Sequence, residues 1–342
     1  MDPDASAAVA ERFERFARDE AAGRSALYEQ WARGVAGDAR VRGILSRIPA
    51  GHRQPPLVFA VTRLLGAPEG GFAQWAEWVS AHADAVVGEC ARRRLQTNEP
   101  LRCAALLPAL ALIDGPIALV EVGASAGLCL FPDRYSYRYR GDAVAVSLDP
   151  ASGPSRAVLS SGLSFDERMP RLALPEIVWR SGIDLDPLDA ADPADRRFLT
   201  TLVWPGEEGR AERIEAALEV AREEPALLVR GDATAPGVLA DLAARAPREA
   251  TLVVTTPGVL PHIPRAGRLA LAEAIEAAGA RWITIDPPSL HADLEALRGR
   301  EPRVDPTAWD GFVLALDGAA LAAVDPLGAW VAWRAGGSAA TT

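Results

Sequence analysis

The first third of the chain carries apolar residues at helical spacing. Phe13 with Phe16, and Leu27 and Tyr28 with Trp31, recur at three- and four-residue spacing within residues 5–48, a segment rich in Ala, Glu and Arg. The same spacing predicts further helices over residues 57–65, 72–94 and 102–112. Since no strand-like alternation comes before residue 116, this part of the chain is predicted to be helical.

From residue 116 onward, short apolar runs alternate with helical patterns, which is typical of a parallel sheet covered by helices. The runs predict strands over residues 117–122, 176–183, 226–230, 251–255 and 282–285. Helices are predicted over residues 193–203, 210–224, 238–246 and 268–278. Residues 135–139 and 144–148 predict a hairpin, and residues 312–316 and 329–333 a terminal antiparallel pair.

These patterns predict an α/β protein with a Rossmann-like, seven-stranded, mostly parallel sheet. Residues 1–114 are expected to form a helical N-terminal region that caps the sheet, and residues 115–335 the α/β domain. The polar, small residues 336–342 are expected to be a disordered tail.

Charge and composition narrow the classes of partner. The 36 Lys+Arg residues against 46 Asp+Glu give a net charge of -10, and the only basic triplet, residues 92–94, is typical of a solvated helix face. Binding to nucleic acid needs clustered positive charge, so none is expected. The longest apolar stretch, residues 103–113, is too short to span a bilayer. We therefore expect a cytoplasmic protein with a small-molecule substrate and no membrane partner.

Metal and disulfide chemistry find no support in the pattern. The three cysteines, Cys90, Cys103 and Cys129, leave an odd count and share no CxxC spacing. No set of His, Cys, Asp and Glu residues has the spacing of metal ligands, so no metal is predicted.

The strongest local signal is a glycine-rich turn after a buried strand. Residues 119–127 read Leu-Val-Glu-Val-Gly-Ala-Ser-Ala-Gly, so small residues follow Glu121 and Val122. Glycine tolerates positive φ and lets a ligand approach the backbone. Free N–H groups at the start of a following helix would attract an anion or a carboxylate. The pattern predicts a ligand-binding turn, with tight packing and no ligand as the alternative.

Two further classes of protein use a similar turn. A dinucleotide fold has G-x-G-x-x-G and an acid about 20 residues further on, whereas Ser125 replaces the middle glycine here and no acid ends a strand at that distance. The turn also fits the G-x-S-x-G elbow of serine hydrolases, with Ser125, Asp232 and His262 in a suitable order. Several strands normally precede that elbow, but helices precede it here. A serine hydrolase stays an alternative, as does a non-catalytic binding module.

A turn that holds S-adenosylmethionine accounts for the most residues. In such folds an acid in the first strand positions the amino acid portion of the cofactor. An acid after the second strand accepts both ribose hydroxyls with its two oxygens, and a third lies near the adenine. This chain supplies all three acids in order, with Asp149 as a rival to Asp184. The predicted cofactor-binding residues are Glu121, Gly123, Ser125, Gly127, Asp184 and Asp232.

Methyl transfer depends mainly on positioning and desolvation, and needs a base only when the acceptor must lose a proton. His262, just past the fourth strand, is the candidate base, with a structural loop histidine as the alternative. Asn98, Glu99 and Arg102 form a polar cluster between apolar helices, so they either pair internally or face a cleft. The candidate catalytic residues are His262, Asn98 and Glu99.

Several short segments spread over the chain form a specific combination. They are Gln-Thr-Asn-Glu at 96–99, Arg-Cys-Ala-Ala-Leu-Leu-Pro at 102–108, Glu-Val-Gly-Ala-Ser-Ala-Gly-Leu at 121–128, Asp-Arg-Tyr at 133–135, Gly-Ile-Asp-Leu-Asp-Pro-Leu-Asp at 182–189, Leu-Val-Trp-Pro at 202–205 and Arg-Gly-Asp at 230–232. The combination resembles the bacterial domain-of-unknown-function family 2332 over nearly the whole chain. The resemblance implies a methyltransferase-like fold and no established activity.

The chain departs from that family at two places. Cys129 follows Leu128 where relatives tend to carry asparagine, and Thr256 with Pro257 stands where they often carry histidine followed by serine or threonine. The second departure weakens the case for a catalytic histidine in the loop after the fourth strand.

Overall fold

The computed structural model describes residues 3–141, 145–164, 169–301 and 304–334. The chain divides into two compact units, one of residues up to 97 with 191–215, and one of residues 98–190 with those from 216 onward. The tail predicted at 336–342 lies outside the described residues. The predicted capping role of residues 1–114 stays a prediction.

The secondary structure follows the predicted alternation. The helices are α1 (Pro3–Phe16), α2 (Ala26–Gly37), α3 (Ala39–Leu45), α4 (Pro55–Leu64), α5 (Phe72–Ala81), α6 (Ala83–Arg92), α7 (Arg102–Leu110), α8 (Pro193–Thr201), α9 (Arg210–Glu223), α10 (Val238–Ala243), α11 (Arg265–Ala277) and α12 (Pro288–Leu297). The strands are β1 (Ile117–Val122), β2 (Ser136–Arg140), β3 (Ala145–Leu148), β4 (Val158–Ser164), β5 (Ile177–Asp184), β6 (Leu227–Arg230), β7 (Thr251–Pro257), β8 (Arg281–Asp286), β9 (Phe312–Leu316), β10 (Ala319–Val324) and β11 (Trp330–Trp333).

An aromatic cluster fills the core of the first unit. Trp31 stacks on Trp75 with ring centroids 5.2 Å apart, and Phe59 meets both rings edge-on. Trp75 Nε1 donates to Thr62 Oγ1 at 2.9 Å, and Trp31 Nε1 donates to the carbonyl of Gly70 at 2.9 Å. Because these rings bury large apolar areas and their N–H groups are satisfied, they hold the helices of this unit together.

The helical prediction for the first third is confirmed, with one break. The segment predicted as a single helix over residues 72–94 is two helices, α5 and α6. They are separated at His82, whose φ of -117° and ψ of 23° leave the helical region.

The described strands of the second unit form one sheet of eleven, in the order β3-β2-β4-β11-β10-β9-β8-β7-β1-β5-β6. The strands β8, β7, β1, β5 and β6 are parallel neighbours, and β8 to β11 pair antiparallel in succession. The fold is therefore mixed α/β with a mostly parallel sheet. The predicted number of seven strands is wrong, because the segments around β2–β4 and β10 extend the sheet.

The predicted antiparallel pairing of residues 312–316 with 329–333 is also wrong. Strands β9 and β11 each pair with β10, which lies between them. The strand β10 reads Ala-Ala-Leu-Ala-Ala-Val. Because alanine favours helices over strands, this sequence does not predict a strand. Asp317 and Gly318 join β9 to β10 with φ of 53° and 86°, which is the backbone of a tight two-residue hairpin. The predicted β2–β3 hairpin is confirmed.

The parallel strands next to β1 end at a shared carboxyl edge of the sheet. After β1 the chain first forms β2, β3 and β4, which lie in the half of the sheet beyond β7 and β8, and it then crosses to β5 and β6 on the other side of β1. Strands β7 and β8 follow, so the carboxyl ends of β7, β1, β5 and β6 lie side by side. In open parallel sheets, ligands bind outside the carboxyl ends of the strands.

Candidate functional site

The turn after β1 has a backbone that demands small residues. Gly123, Ser125 and Gly127 have positive φ of 76°, 52° and 74°. A Cβ at Gly123 would lie 2.6 Å from the side chain of Val259, which follows β7. A short 3-10 turn, Leu128–Leu130, follows instead of the helix that the sequence suggested. The expected helix N-terminus is therefore absent at this point of the chain, and the ligand-binding argument rests on side chains and the turn itself.

Two side chains hold the turn in place. The backbone N–H of Ser125 donates to Asp184 Oδ2 at 2.8 Å, which ties the end of β5 to the turn. Asn98 Nδ2 donates to Ser125 Oγ, and Asn98 Oδ1 accepts from the N–H of Ala126 at 3.1 Å. The structure thus brings together three residues that sequence reasoning singled out separately. Asn98 contacts the turn itself, so its observed contacts position the backbone.

Replacing Asn98 with alanine should destabilise the protein by about 1–3 kcal/mol, because Ser125 and Ala126 lose their buried partners. The effect should be measured as the change in the free energy of unfolding in urea. Asn98→Asp is the informative comparison, since a carboxylate still accepts from Ala126 and Ser125 Oγ is able to donate to it. Equal stability of Asn98→Ala and the wild type would contradict the proposed positioning contact.

Glu121 lies beneath the turn as a buried acid. It is only 4% exposed, and within the described residues its Oε2 atom accepts no hydrogen bond. Burial is the main reason why the pKa of Glu121 lies well above its ordinary value, and Arg102 only partly opposes this. A group that donates N–H to Oε2 would satisfy this oxygen and favour its ionised form.

Glu99 is buried next to the same turn. Its Oε1 atom accepts from the N–H of Leu101 at 3.0 Å, just before α7 begins. Its backbone carbonyl accepts from the thiol of Cys129 at 3.5 Å. These contacts link the start of α7 to the segment after the glycine turn.

The third predicted acid, Asp232, follows β6 and is exposed. Strand β6 pairs with β5 so that Arg230 lies beside Asp184, and Asp232 comes two residues later. Its Oδ1 atom accepts from the backbone N–H of Thr234 at 2.8 Å and from its hydroxyl at 2.7 Å. The ends of β1, β5 and β6 therefore present Glu121, Asp184 and Asp232 along one edge of the sheet.

The structure does not bring Asp149 to this edge. It follows β3, which lies at the opposite end of the strand order from β6. Its Oδ1 atom accepts from Ser136 Oγ at 2.5 Å and from Arg138 Nη2 at 2.8 Å. These two partners lower the pKa of Asp149, mainly through the Ser136 hydrogen bond. Through these two contacts Asp149 stabilises the β2–β3 hairpin.

His262, the candidate base, ends a 3-10 turn at Leu260–His262 that follows β7. Its side chain is exposed. The position just past β7 agrees with the one assigned from the sequence, whereas a catalytic role stays a prediction.

Sequence reasoning missed Asp286 as a site residue. It is the last residue of β8 and is 1% exposed. The available signal was the same one that pointed to Asp184, namely an acid that closes a predicted parallel strand. The cofactor pattern assigns no role to the fifth strand, so that pattern does not single out Asp286.

In the described part of the chain, no group of three or more His, Cys, Asp or Glu side chains is arranged to hold a metal ion. Every helix in it is too short or too polar to cross a bilayer.

The fold and the turn define a mixed α/β protein with a glycine turn at the carboxyl end of β1, beside the ends of β5 and β7. The chain belongs to the family described as "Uncharacterized protein conserved in bacteria (DUF2332)", whose model matches residues 10–333. No curated protein and no solved structure matches the chain.

Proposed function

We propose that this protein binds S-adenosylmethionine at the carboxyl ends of β1, β5 and β6 and transfers its methyl group to a small molecule. The observation that carries the proposal is the order of Glu121, Asp184 and Asp232 at the ends of three adjacent strands. The positive-φ turn from Gly123 to Gly127 lies at the first of these ends. This is the order in which a cofactor with an amino acid, a ribose and an adenine would meet them.

The chemistry of the donors and acceptors fits this cofactor. Among the described residues no group donates to the buried Glu121 Oε2, and such an acceptor suits the ammonium of the amino acid portion. Asp184 Oδ2 accepts from the backbone N–H of Ser125 and Oδ1 from that of Asp186, and a carboxylate oxygen is able to accept two bonds. Asp184 therefore keeps capacity for ribose hydroxyls while it holds the turn.

When bound, the cofactor would supply an electrophilic methyl group. The chain would contribute orientation more than acid–base chemistry. Asn98 and Asp184 fix the turn against which the cofactor would lie. Glu121 would hold the charged end in a region with little water, where electrostatic contacts are strong. Such fixed geometry is what an in-line displacement needs most.

Isothermal titration calorimetry with S-adenosylmethionine tests the proposal. We expect saturable binding to the wild type and binding at least about tenfold weaker to Asp184→Ala, because the variant loses the turn contact and the ribose acceptor. Asp241→Ala, an exposed aspartate in α10, is the matched control and should bind like the wild type. Absence of saturable binding to the folded wild type would refute the proposal, as would unchanged affinity in Asp184→Ala.

One observation favours a serine hydrolase as the second candidate. Ser125 has a φ of 52°, and a strained serine at a turn after a strand is the geometry of a nucleophile elbow. Its partners differ from a triad, because Asn98 donates to Ser125 Oγ and Asp232 accepts from Thr234. Labelling of the wild type, but not of Ser125→Ala, by a fluorophosphonate probe would establish this candidate.

A further inference from the structure

The end of β8 carries a buried acid that the proposed cofactor site does not use. Neither carboxylate oxygen of Asp286 accepts a hydrogen bond from any described residue. Burial raises its pKa well above the ordinary value, and Arg102 and Arg268 oppose that effect. Leaving a buried polar group without a partner costs free energy, and the described residues do not supply that partner.

The two arginines near Asp286 have other partners. Arg102 Nη1 donates to the carbonyl of Pro257 at 3.0 Å, at the end of β7. Arg268 Nη1 donates to the carbonyl of Ile263 at 3.2 Å, further along the same loop. Within the described residues neither guanidinium comes within the 4.0 Å ion-pair distance of Asp286. The two arginines therefore donate to the end of β7 and the loop after it. Among the described residues, the Asp286 carboxyl beside this loop has no hydrogen-bond partner.

Strand pairing places this carboxyl next to that loop. The N–H of Gly258 donates to the carbonyl of Ile285 at 2.8 Å. Asp286, the next residue of β8, therefore lies beside the start of the loop that follows β7. Gly258 has a φ of 72°, and a Cβ there would lie 3.0 Å from Arg102 Nη2. The small residue allows the guanidinium to approach the backbone at this point.

The unpartnered buried atoms decide which chemistry fits here. Asp286 contributes two acceptor oxygens, and Arg268 contributes one donor, its Nε atom. Acceptors outnumber donors, so a fitting ligand has to donate more hydrogen bonds than it accepts. A primary ammonium group has three N–H donors and no acceptor, and its positive charge stabilises an ionised carboxylate.

We propose that Asp286 is the principal acceptor in a binding site for the primary amino group of a small molecule, next to residues 258–264 at the ends of β7 and β8. The site lies at the end of β8, on one side of β1, whereas Asp184 and Asp232 lie at the ends of β5 and β6 on the other side. The two sites therefore use different strand ends. If the proposed function also holds, the bound ammonium ion first gives one N–H proton to the Asp286 carboxylate, and the amine nitrogen, which then has a free lone pair, is the methyl acceptor.

Binding at this site moves one proton. When an ammonium ion binds a protonated Asp286, N–H donation to the carboxylate replaces the carboxyl proton, which passes to the solvent. Binding therefore tightens as pH rises toward the pKa of the free carboxyl. The charged groups that act on Asp286 are Arg102 of α7 and Arg268 of α11. Burial lowers the pKa of His291 in α12 to about 4, so its imidazole is neutral well above that pH.

Titration calorimetry of the full chain with propan-1-amine, and with propan-1-ol as the uncharged analogue, tests this site without any cofactor. The amine should bind saturably, and the alcohol at least about tenfold more weakly, which corresponds to one charge-assisted hydrogen bond. Asp286→Asn should weaken amine binding by a similar factor. The matched control, Asp241→Asn, should bind as the wild type does.

A second measurement needs only the wild type. With carbon-13 in the aspartate carboxyls, the resonance of Asp286 should titrate at lower pH in the presence of propan-1-amine than with propan-1-ol. No saturable amine binding to the folded wild type, equal affinity in Asp286→Asn, or an unmoved titration would overturn the proposal. Since S-adenosylmethionine is absent from every arm, these outcomes are independent of the proposed function.

Discussion

Gly328→Ala is expected to destabilise the protein by about 3 kcal/mol or more, the largest stability effect we predict for a single methyl group. Gly328 lies between β10 and β11 with a φ of 94°, where an L-amino acid is strained. A Cβ there would overlap the backbone carbonyl of Leu101 and lie 2.9 Å from the N–H of Arg102. Because the obstacle is backbone, no side-chain rotation relieves it.

The substitution should also disturb the candidate site. Leu101 directly precedes α7, and Arg102 is the first residue of that helix. The side chain of Arg102 donates to the carbonyl of Pro257 at the end of β7. Displacing them moves the guanidinium that acts on Glu121 and Asp286. Weaker ligand binding should therefore accompany the lower stability.

The variant Gly153→Ala separates the backbone strain of a positive φ from the steric overlap that an added Cβ causes at Gly328. Gly153 also has a positive φ, 108°, but a Cβ there would meet nothing within 4 Å. That variant should lose only about 1–2 kcal/mol, the cost of the backbone conformation. The free energies of unfolding of both variants in urea give the comparison. Equal losses at the two glycines would show that the packing of Gly328 against the start of α7 contributes nothing.

The parallel strands could be predicted because each depends on local sequence. Strands β1, β7 and β8 are continuous apolar or β-branched runs bounded by turns, and a strand buried on both faces needs such a run. The helices of the first third were equally local, since their aromatic residues repeat at helical spacing. Patterns of this kind fix the type of an element without its neighbours.

The extent of the sheet could not be predicted in this way. Strand β4 reads Val-Leu-Ser-Ser-Gly-Leu-Ser and gains its place by pairing with β2 and β11, which are distant in the sequence. Strand β10 is rich in alanine, and only its pairing with β9 and β11 makes it a strand. The Asp317-Gly318 dipeptide is the one local signal for this hairpin, because Asp-Gly favours a tight two-residue turn.

The candidate site shows the same division between local and distant information. The turn and the acids at the strand ends followed from short motifs. The contact of Asn98 with Ser125 joins residues 27 positions apart, and no motif encodes it. Asp286 is the clearer case, because its isolation depends on where Arg102 and Arg268 point. A missing partner is a property of the packed structure, so periodicity and spacing do not reveal it.

Glu121→Gln is expected to make the protein more stable than the wild type at high pH and equally stable at low pH. The folded-state pKa of Glu121 is raised, mainly by burial, so folding favours the protonated form. That stability is fully present below the ordinary glutamate pKa and is lost as pH rises through the raised folded value. In this window the wild type should lose up to about 1.4 kcal/mol for each unit of pH relative to the variant.

Urea unfolding across a pH series measures this difference. Subtracting the wild type from Glu121→Gln cancels the contribution of Asp286, which has the same sign because its pKa is also raised. Glu249→Gln, an exposed glutamate, should follow the wild type at every pH. A difference that does not change with pH would mean that Glu121 is not held protonated by the fold.

The same variant should bind S-adenosylmethionine more weakly, although it is more stable. A glutamine is neutral and offers only one acceptor oxygen to the ammonium of the cofactor, so a charge-assisted hydrogen bond is lost. A purely structural Glu121 would give the gain in stability without the loss in affinity. Opposite changes in the two measurements would identify Glu121 as a group kept at a cost to stability because a ligand needs it.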